Sequence, residues 1–301
     1  MANNSMPQQT TSKTTSETTS ETTSAANPLD THEYVVRTAI RTIAIVASLY
    51  GMAASWQGFM TFTYFTNLSN LMICVALAGS LVFDTAAFMR ARSCATNSAE
   101  SSASAASAVS AVSAASDASS VSQSTPTVWF DSKSNAWYIF KFMMTIAIAV
   151  TFTLYLCFLA PTNKLGFIGA YMSNGCSSLC VHAIAPLLAI IDFILFDYRF
   201  RSTRAHIYFA TIPPLAYVAY AVMLSEFVGV RWGTHAMRAP YNFLNYGAPA
   251  GWFGFAPQTF NATTLGVGVA YLLIVFTLIF IGVGTMFLAL KDARARVTLQ
   301  N

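Results

Sequence analysis

The stretch YFTNLSNLMICVALAGSLVF, residues 64–83, contains no charged side chain. At about 1.5 Å per residue it makes a helix of about 30 Å, the thickness of a bilayer's hydrocarbon core. The absence of charge extends outward from it. No Asp, Glu, Lys or Arg occurs from Thr42 to Phe83, from Phe142 to Asn163, or from Leu165 to Ile191. Charged residues make up 9% of the chain, against about 25% in ordinary soluble proteins. These features define an all-α, polytopic membrane protein. Apolar segments are expected as spans at 34–56, 64–88, 136–160, 176–197, 206–228 and 264–289, forming one bundle of six transmembrane helices.

Two tracts stand apart from the spans. Residues 1–30 repeat Thr, Ser and Glu with almost no apolar side chains, so they cannot bury enough surface to fold and are expected to be a disordered tail. They lack the basic-then-apolar layout of a signal peptide, which leaves the first span as the expected insertion signal. Residues 93–127 are rich in Ser and Ala without an apolar stripe, and are expected as a second disordered tract, a loop between the second and third spans. The six-helix domain then comprises 31–92 and 128–291, with a short tail, 292–301, after it.

With six spans both termini share one side. Of the 16 Lys and Arg residues only Lys164, Arg231 and Arg238 fall on the other side. Loops retained in the cytoplasm carry the excess of positive charge, so both termini are expected there. The basic residues sit at span ends, not on one face, which excludes a nucleic-acid partner. The partner is the lipid bilayer. The outer connection, 229–263, is rich in aromatic residues such as Trp232, Tyr241, Tyr246 and Trp252. It reads as an interfacial belt or as a lid above a pocket.

Two polar residues fall at one depth. Counting about 1.5 Å per residue, Thr66 lies about 27 Å above Asp84, and His182 lies about 22 Å above Asp197. Both acids mark the inner boundary, so Thr66 and His182 are roughly level in the outer half. Threonine is a weak nucleophile unless a base takes its proton, and histidine titrates near neutrality. An ionisable group inside a membrane is a functional candidate by default. Plainer roles exist for both: a threonine hydroxyl bonds a carbonyl one turn back, and an imidazole bonds a neighbouring helix.

Surrounding residues extend the candidate site. Pro186 comes four residues after His182 and has no N–H, so a kink is expected there. Asn70 lies one turn from Thr66 on the same face, and Asn67 is adjacent; either amide is a candidate oxyanion donor. Tyr64 opens the same segment. Glu226 is the only acid expected in the outer half of the spans and is the candidate third member behind His182. Asp192 lies about 15 Å along the helix from His182, too far for that role, and is expected to pair with an arginine. Cys176, Cys180, His182 and His235 are residue types that bind metal, but 180 and 182 point roughly 160° apart on a regular helix. No cofactor or metal is expected.

The motif Tyr64-Phe65-Thr66-Asn67-Leu68-Ser69-Asn70, with His182, Pro186 and Asp192 in the fourth span and Tyr241-Asn-Phe-Leu-Asn245 before the last, resembles the androgen-induced membrane protein family. These are six-span integral-membrane threonine hydrolases, and this chain looks like a bacterial relative. The resemblance implies Thr66 as nucleophile, His182 as base, and metal-free hydrolysis of fatty acid esters of hydroxy fatty acids in a bacterial cell membrane. The alternative is a small-molecule transporter or binding protein in which Thr66, Asn70 and His182 line a polar path.

Overall fold

The computed structural model describes residues 31–108 and 133–300, apart from 162, 164, 201 and 262. The N-terminal tract lies outside the described residues, as does 109–132. Six helical segments are long and apolar enough to cross a membrane. The elements in order are α1 (Thr31–Ala54), α2 (Phe65–Ala108), α3 (Lys133–Leu154), α4 (Gly166–Leu179), α5 (Ala185–Phe196), α6 (His206–Phe209), α7 (Ile212–Glu226) and α8 (Val269–Gln300). No β-strand occurs among the described residues.

Four of these differ from the sequence expectation. The second helix does not stop near residue 92 but continues to Ala108, through the first part of the tract expected to be disordered. Alanine has the highest helix propensity, and a helix already nucleated in the membrane extends without a further nucleation cost. Ser93 and Thr96 donate to carbonyls one turn back, at 3.0 Å each. The fourth span is α4 and α5 joined by a π-helical turn, Cys180–Ile184. α4 itself turns sharply at Asn174, Gly175 and Cys176, which all have positive φ. The fifth span is divided at Ala210–Thr211, with Pro213 and Pro214 opening α7, where a missing N–H costs nothing. The last helix starts at Val269, later than expected, because 264–268 remains part of the loop.

α3 is the hub. Its spanning window is 61% buried, against 22% for those of α7 and α8. One face packs on α5 and α8 through Phe142, Ile146, Val150, Phe193, Phe280 and Phe287. Another meets α1, α2 and α5 through Ala44, Ile73, Leu77, Met144, Ile148 and Ala189. Small residues set the closest approaches, as expected where packing rather than water drives association. A Cβ on Gly79 would meet the Trp137 ring at 2.1 Å, and one on Gly51 would meet Val181 at 2.6 Å.

Ionic pairs fasten the end of the bundle at which α1 begins and α8 ends. Arg41 Nε donates to Asp192 Oδ1 and Arg41 Nη1 to Asp84 Oδ2, both at 2.7 Å. Arg37 Nη1 reaches the same Asp84 oxygen at 2.8 Å. Lys141 contacts both Asp192 and Asp197. The network therefore joins α1, α2, α3 and α5. Asp192 has the structural partner expected of it, and Asp84 and Asp197 both neighbour Arg41, so the two depth references lie at one level.

At the opposite end the loop 227–268 is pinned to the segment before α2. The buried Trp232 donates from Nε1 to Thr63 Oγ1 at 2.9 Å, and the Tyr217 hydroxyl donates to the Thr63 carbonyl at 2.8 Å.

Candidate functional site

His182 belongs to the π turn between α4 and α5. Ala185 N–H bonds back five residues to the Cys180 carbonyl. Pro186 comes next and has no N–H, so in this register the Val181 carbonyl is left without a helical donor. Asn70 replaces it: its Nδ2 donates to Val181 O at 3.1 Å and to Thr66 O at 2.9 Å. Ser48 Oγ donates to Asn70 Oδ1 at 3.0 Å. One fully buried amide thus ties the first turn of α2 to the turn that carries His182.

A second π turn, Tyr155–Leu159, extends α3. A π turn inserts one residue into the helical repeat and rotates the residues beyond it by about 100°. The two turns face each other, and the rings of Tyr155 and His182 stack with centroids 3.7 Å apart and planes 8° from parallel. The Tyr155 hydroxyl donates to the Ala170 carbonyl at 3.0 Å. His182 Nδ1 is buried and has no hydrogen-bond partner among the described residues.

Thr66 lies in the first turn of α2. Unpaired N–H groups there make the helix end favourable to negative charge. The Tyr241 phenol lies beside the Thr66 side chain and the backbone of Thr66 and Phe65, and Tyr241 and Thr66 line the same cleft. Burial pushes the Tyr241 phenol above its ordinary pKa, against the opposing pull of the neighbouring Thr66 and Phe65 groups, so it is protonated at neutral pH.

Thr66, Tyr155, His182, Tyr217 and Tyr241 line a single apolar cleft of about 690 Å³, counting the part open to its surroundings. Its other walls are Val150 and Leu154 of α3, Pro214 and Val218 of α7, and Leu273, Phe276 and Phe280 of α8. α7 and α8 each pack on α3 but barely touch one another. The cleft lies between these helices and α3, with Tyr241, Phe243 and Leu244 of the loop also in its lining.

The remaining sequence candidates fall elsewhere. Asn70 does not line the cleft; its amide is spent on Thr66 O and Val181 O. Asn67 Nδ2 donates to the Thr61 carbonyl at 2.9 Å, which steadies the turn before α2. Tyr64 packs edge-on against Tyr241 at 6.2 Å. Glu226 is half exposed at the loop end, accepting from the Tyr246 hydroxyl at 2.7 Å and pairing with Arg238 at 3.4 Å; it is not among the cleft residues. His235 lies in a loop pocket with Arg231 and Arg238, apart from His182, and no three His, Cys, Asp or Glu side chains converge as a metal group among the described residues. Tyr155 and Tyr241 are site residues that sequence reasoning does not single out. Tyr241 sits in the quoted loop motif, which is its only signal, and Tyr155 has none.

The fold and cleft define an integral membrane protein with an apolar cleft whose polar lining is two threonines, a histidine and three tyrosines. Compared with protein-family models, curated proteins and solved structures, the chain matches none.

Proposed function

We propose that this protein hydrolyses lipid esters within the membrane, with Thr66 as nucleophile and His182 as its base. The observation that carries the reading is that both side chains line one apolar cleft walled by α3, α7 and α8. Such a cleft accepts acyl chains directly from a bilayer. His182 takes the proton of the Thr66 hydroxyl as its oxygen attacks the ester carbonyl. The carbonyl oxygen gains charge beside the Tyr241 phenol and the first-turn N–H groups of α2, which would stabilise it. Collapse breaks the ester C–O bond, and the imidazolium returns its proton to the leaving alkoxide. Water, deprotonated by His182, then attacks the acyl-threonine, releasing the fatty acid and restoring both side chains.

The order and spacing of the Thr66 and His182 motifs support assignment to the androgen-induced membrane protein family, as a bacterial member acting on fatty acid esters of hydroxy fatty acids. The distribution of Lys and Arg supports cytoplasmic termini, which puts the cleft in the outer half of the membrane.

A second reading, binding or transport without turnover, is favoured by one observation. The Thr66 side chain lies beside Tyr241, and no hydrogen bond joins it to His182. Catalytic hydrogen bonds often close only around substrate, so the test is chemical. Purified protein should hydrolyse long-chain esters and take up a fluorophosphonate probe. Thr66→Ala and His182→Ala should each lower the rate at least about a hundredfold. Thr66→Ser should keep labelling at a reduced rate. A Thr66→Ala protein as active as wild type would remove Thr66 as the nucleophile, and wild-type protein that neither hydrolyses esters nor takes up the probe would leave the binding reading.

A further inference from the structure

We infer that the loop 227–268 holds a preformed site for a phosphate-type anion, separate from the cleft. On the face opposite the termini the chain has only three Lys or Arg residues, and two of them, Arg231 and Arg238, line one loop pocket with His235. No Asp or Glu occurs from Phe227 to Gly268. The pocket has about 970 Å³ of empty space, including the part open to solvent, and its lining contains no acidic side chain. In a loop that carries so few charges, convergence of the cations is the informative fact. Two guanidinium groups share one exposed carboxylate, Glu226, which leaves an excess of positive charge for an anion to meet.

Both guanidinium groups are held in position. Arg231 Nη1 donates to the Ser225 carbonyl at 2.6 Å, to Ser225 Oγ at 2.9 Å and to the Val230 carbonyl at 2.8 Å. All three bonds use one nitrogen, so the remaining N–H groups of the fork are available. The stem of Arg238 lies against Gly247, where a Cβ would meet its Cγ and Cδ at 2.8 Å. Its guanidinium lies over the Tyr246 ring, 6.0 Å from the centroid. Among the described residues, Glu226 is the one carboxylate paired with either arginine, on Arg238 at 3.4 Å.

The frame beneath them is fastened across the loop. Asn245 accepts from the Arg238 N–H at 3.2 Å and donates to the Thr263 carbonyl at 2.9 Å. Two forked donors on a fixed frame match the oxygens of a phosphate. The pocket is larger than inorganic phosphate needs, so it also admits a phosphate carried on a larger molecule. Two sources share this chemistry: the headgroup of an anionic phospholipid, and phosphate free in solution. The site is independent of ester hydrolysis. Leu244 lines the cleft while the next residue, Asn245, lines this pocket, so they lie on opposite sides of one loop segment.

The test uses the full chain in nanodiscs of phosphatidylcholine. Calorimetric titration with inorganic phosphate, and mass-spectrometric retention of added phosphatidylglycerol, report the two sources. Binding in either arm supports the site, and displacement of the lipid by phosphate assigns both to one pocket. The Arg231→Gln, Arg238→Gln double variant should weaken binding at least about tenfold. The corresponding pair of Lys substitutions keeps the charge and the fold but loses the fork, and should fall between. Thr66→Ala should bind like wild type, which separates this result from the fate of the hydrolase reading. Wild-type protein that binds neither ligand, or a double Gln variant that binds as wild type does, overturns the inference.

Discussion

Asn70 links more of the site than any other side chain, although it never faces the cleft. It supplies the donor that Pro186 withholds from Val181 and holds the Thr66 carbonyl with the same amide. Asn70→Ala should therefore cost about 2–4 kcal/mol, from stranded buried polar groups and a small cavity, read as a fall in thermal stability in detergent. Pro186→Ala restores an N–H that can serve the Val181 carbonyl, so Asn70→Ala should be less damaging in that background. A double-mutant cycle should give a coupling of about 1 kcal/mol. Strict additivity would mean that Asn70 does not compensate for the proline. Tyr241→Phe keeps the ring and removes the donor beside Thr66; ester hydrolysis should fall about tenfold or more through kcat, with KM little changed. An unchanged kcat would remove Tyr241 from oxyanion stabilisation.

Helices of this bundle differ most in how many sides they bury. α3 is enclosed, while α7 and α8 rest on it with a gap between them. Filling that gap should block the cleft without touching its polar end. Leu273→Trp, on the α8 wall, should abolish uptake of a long-chain fluorescent ester while leaving the melting temperature nearly unchanged, because the new ring enters existing space. Equal uptake by this variant would show that ligands enter by another route. The extension of α2 to Ala108 belongs to this scale too. Serine and alanine without an apolar stripe resemble a disordered linker, but an attached helix has already met the nucleation cost.

The whole molecule is closed at the terminal end by charge and at the loop end by aromatic packing. Removing one carboxylate from the buried network leaves an excess buried positive charge, because Arg41 and Lys141 must then share the remaining carboxylates. Asp192→Asn should lower stability by about 3–5 kcal/mol, whereas Glu226→Gln at the exposed loop end should leave the melting temperature nearly unchanged. Thermal unfolding of both variants in one detergent checks the contrast. Comparable losses would mean that the network does not fasten the bundle.

Six spans, their order and the depth of Thr66 and His182 were legible in the sequence, because a bilayer imposes length and apolarity on every crossing helix. Pro186 announced a break, since a missing N–H is a local property. Everything that depends on which helices face one another needed the tertiary structure. Helical periodicity gives the level of a residue but not its neighbour, so nothing local indicated that Tyr155 would stack on His182, or that Tyr241 would reach Thr66 from a distant loop. Asn70 looked like an oxyanion donor from its place beside Thr66. Its partner is a carbonyl on another helix, orphaned by a proline far along the chain, and only the packing of the two helices assigns the amide to that carbonyl.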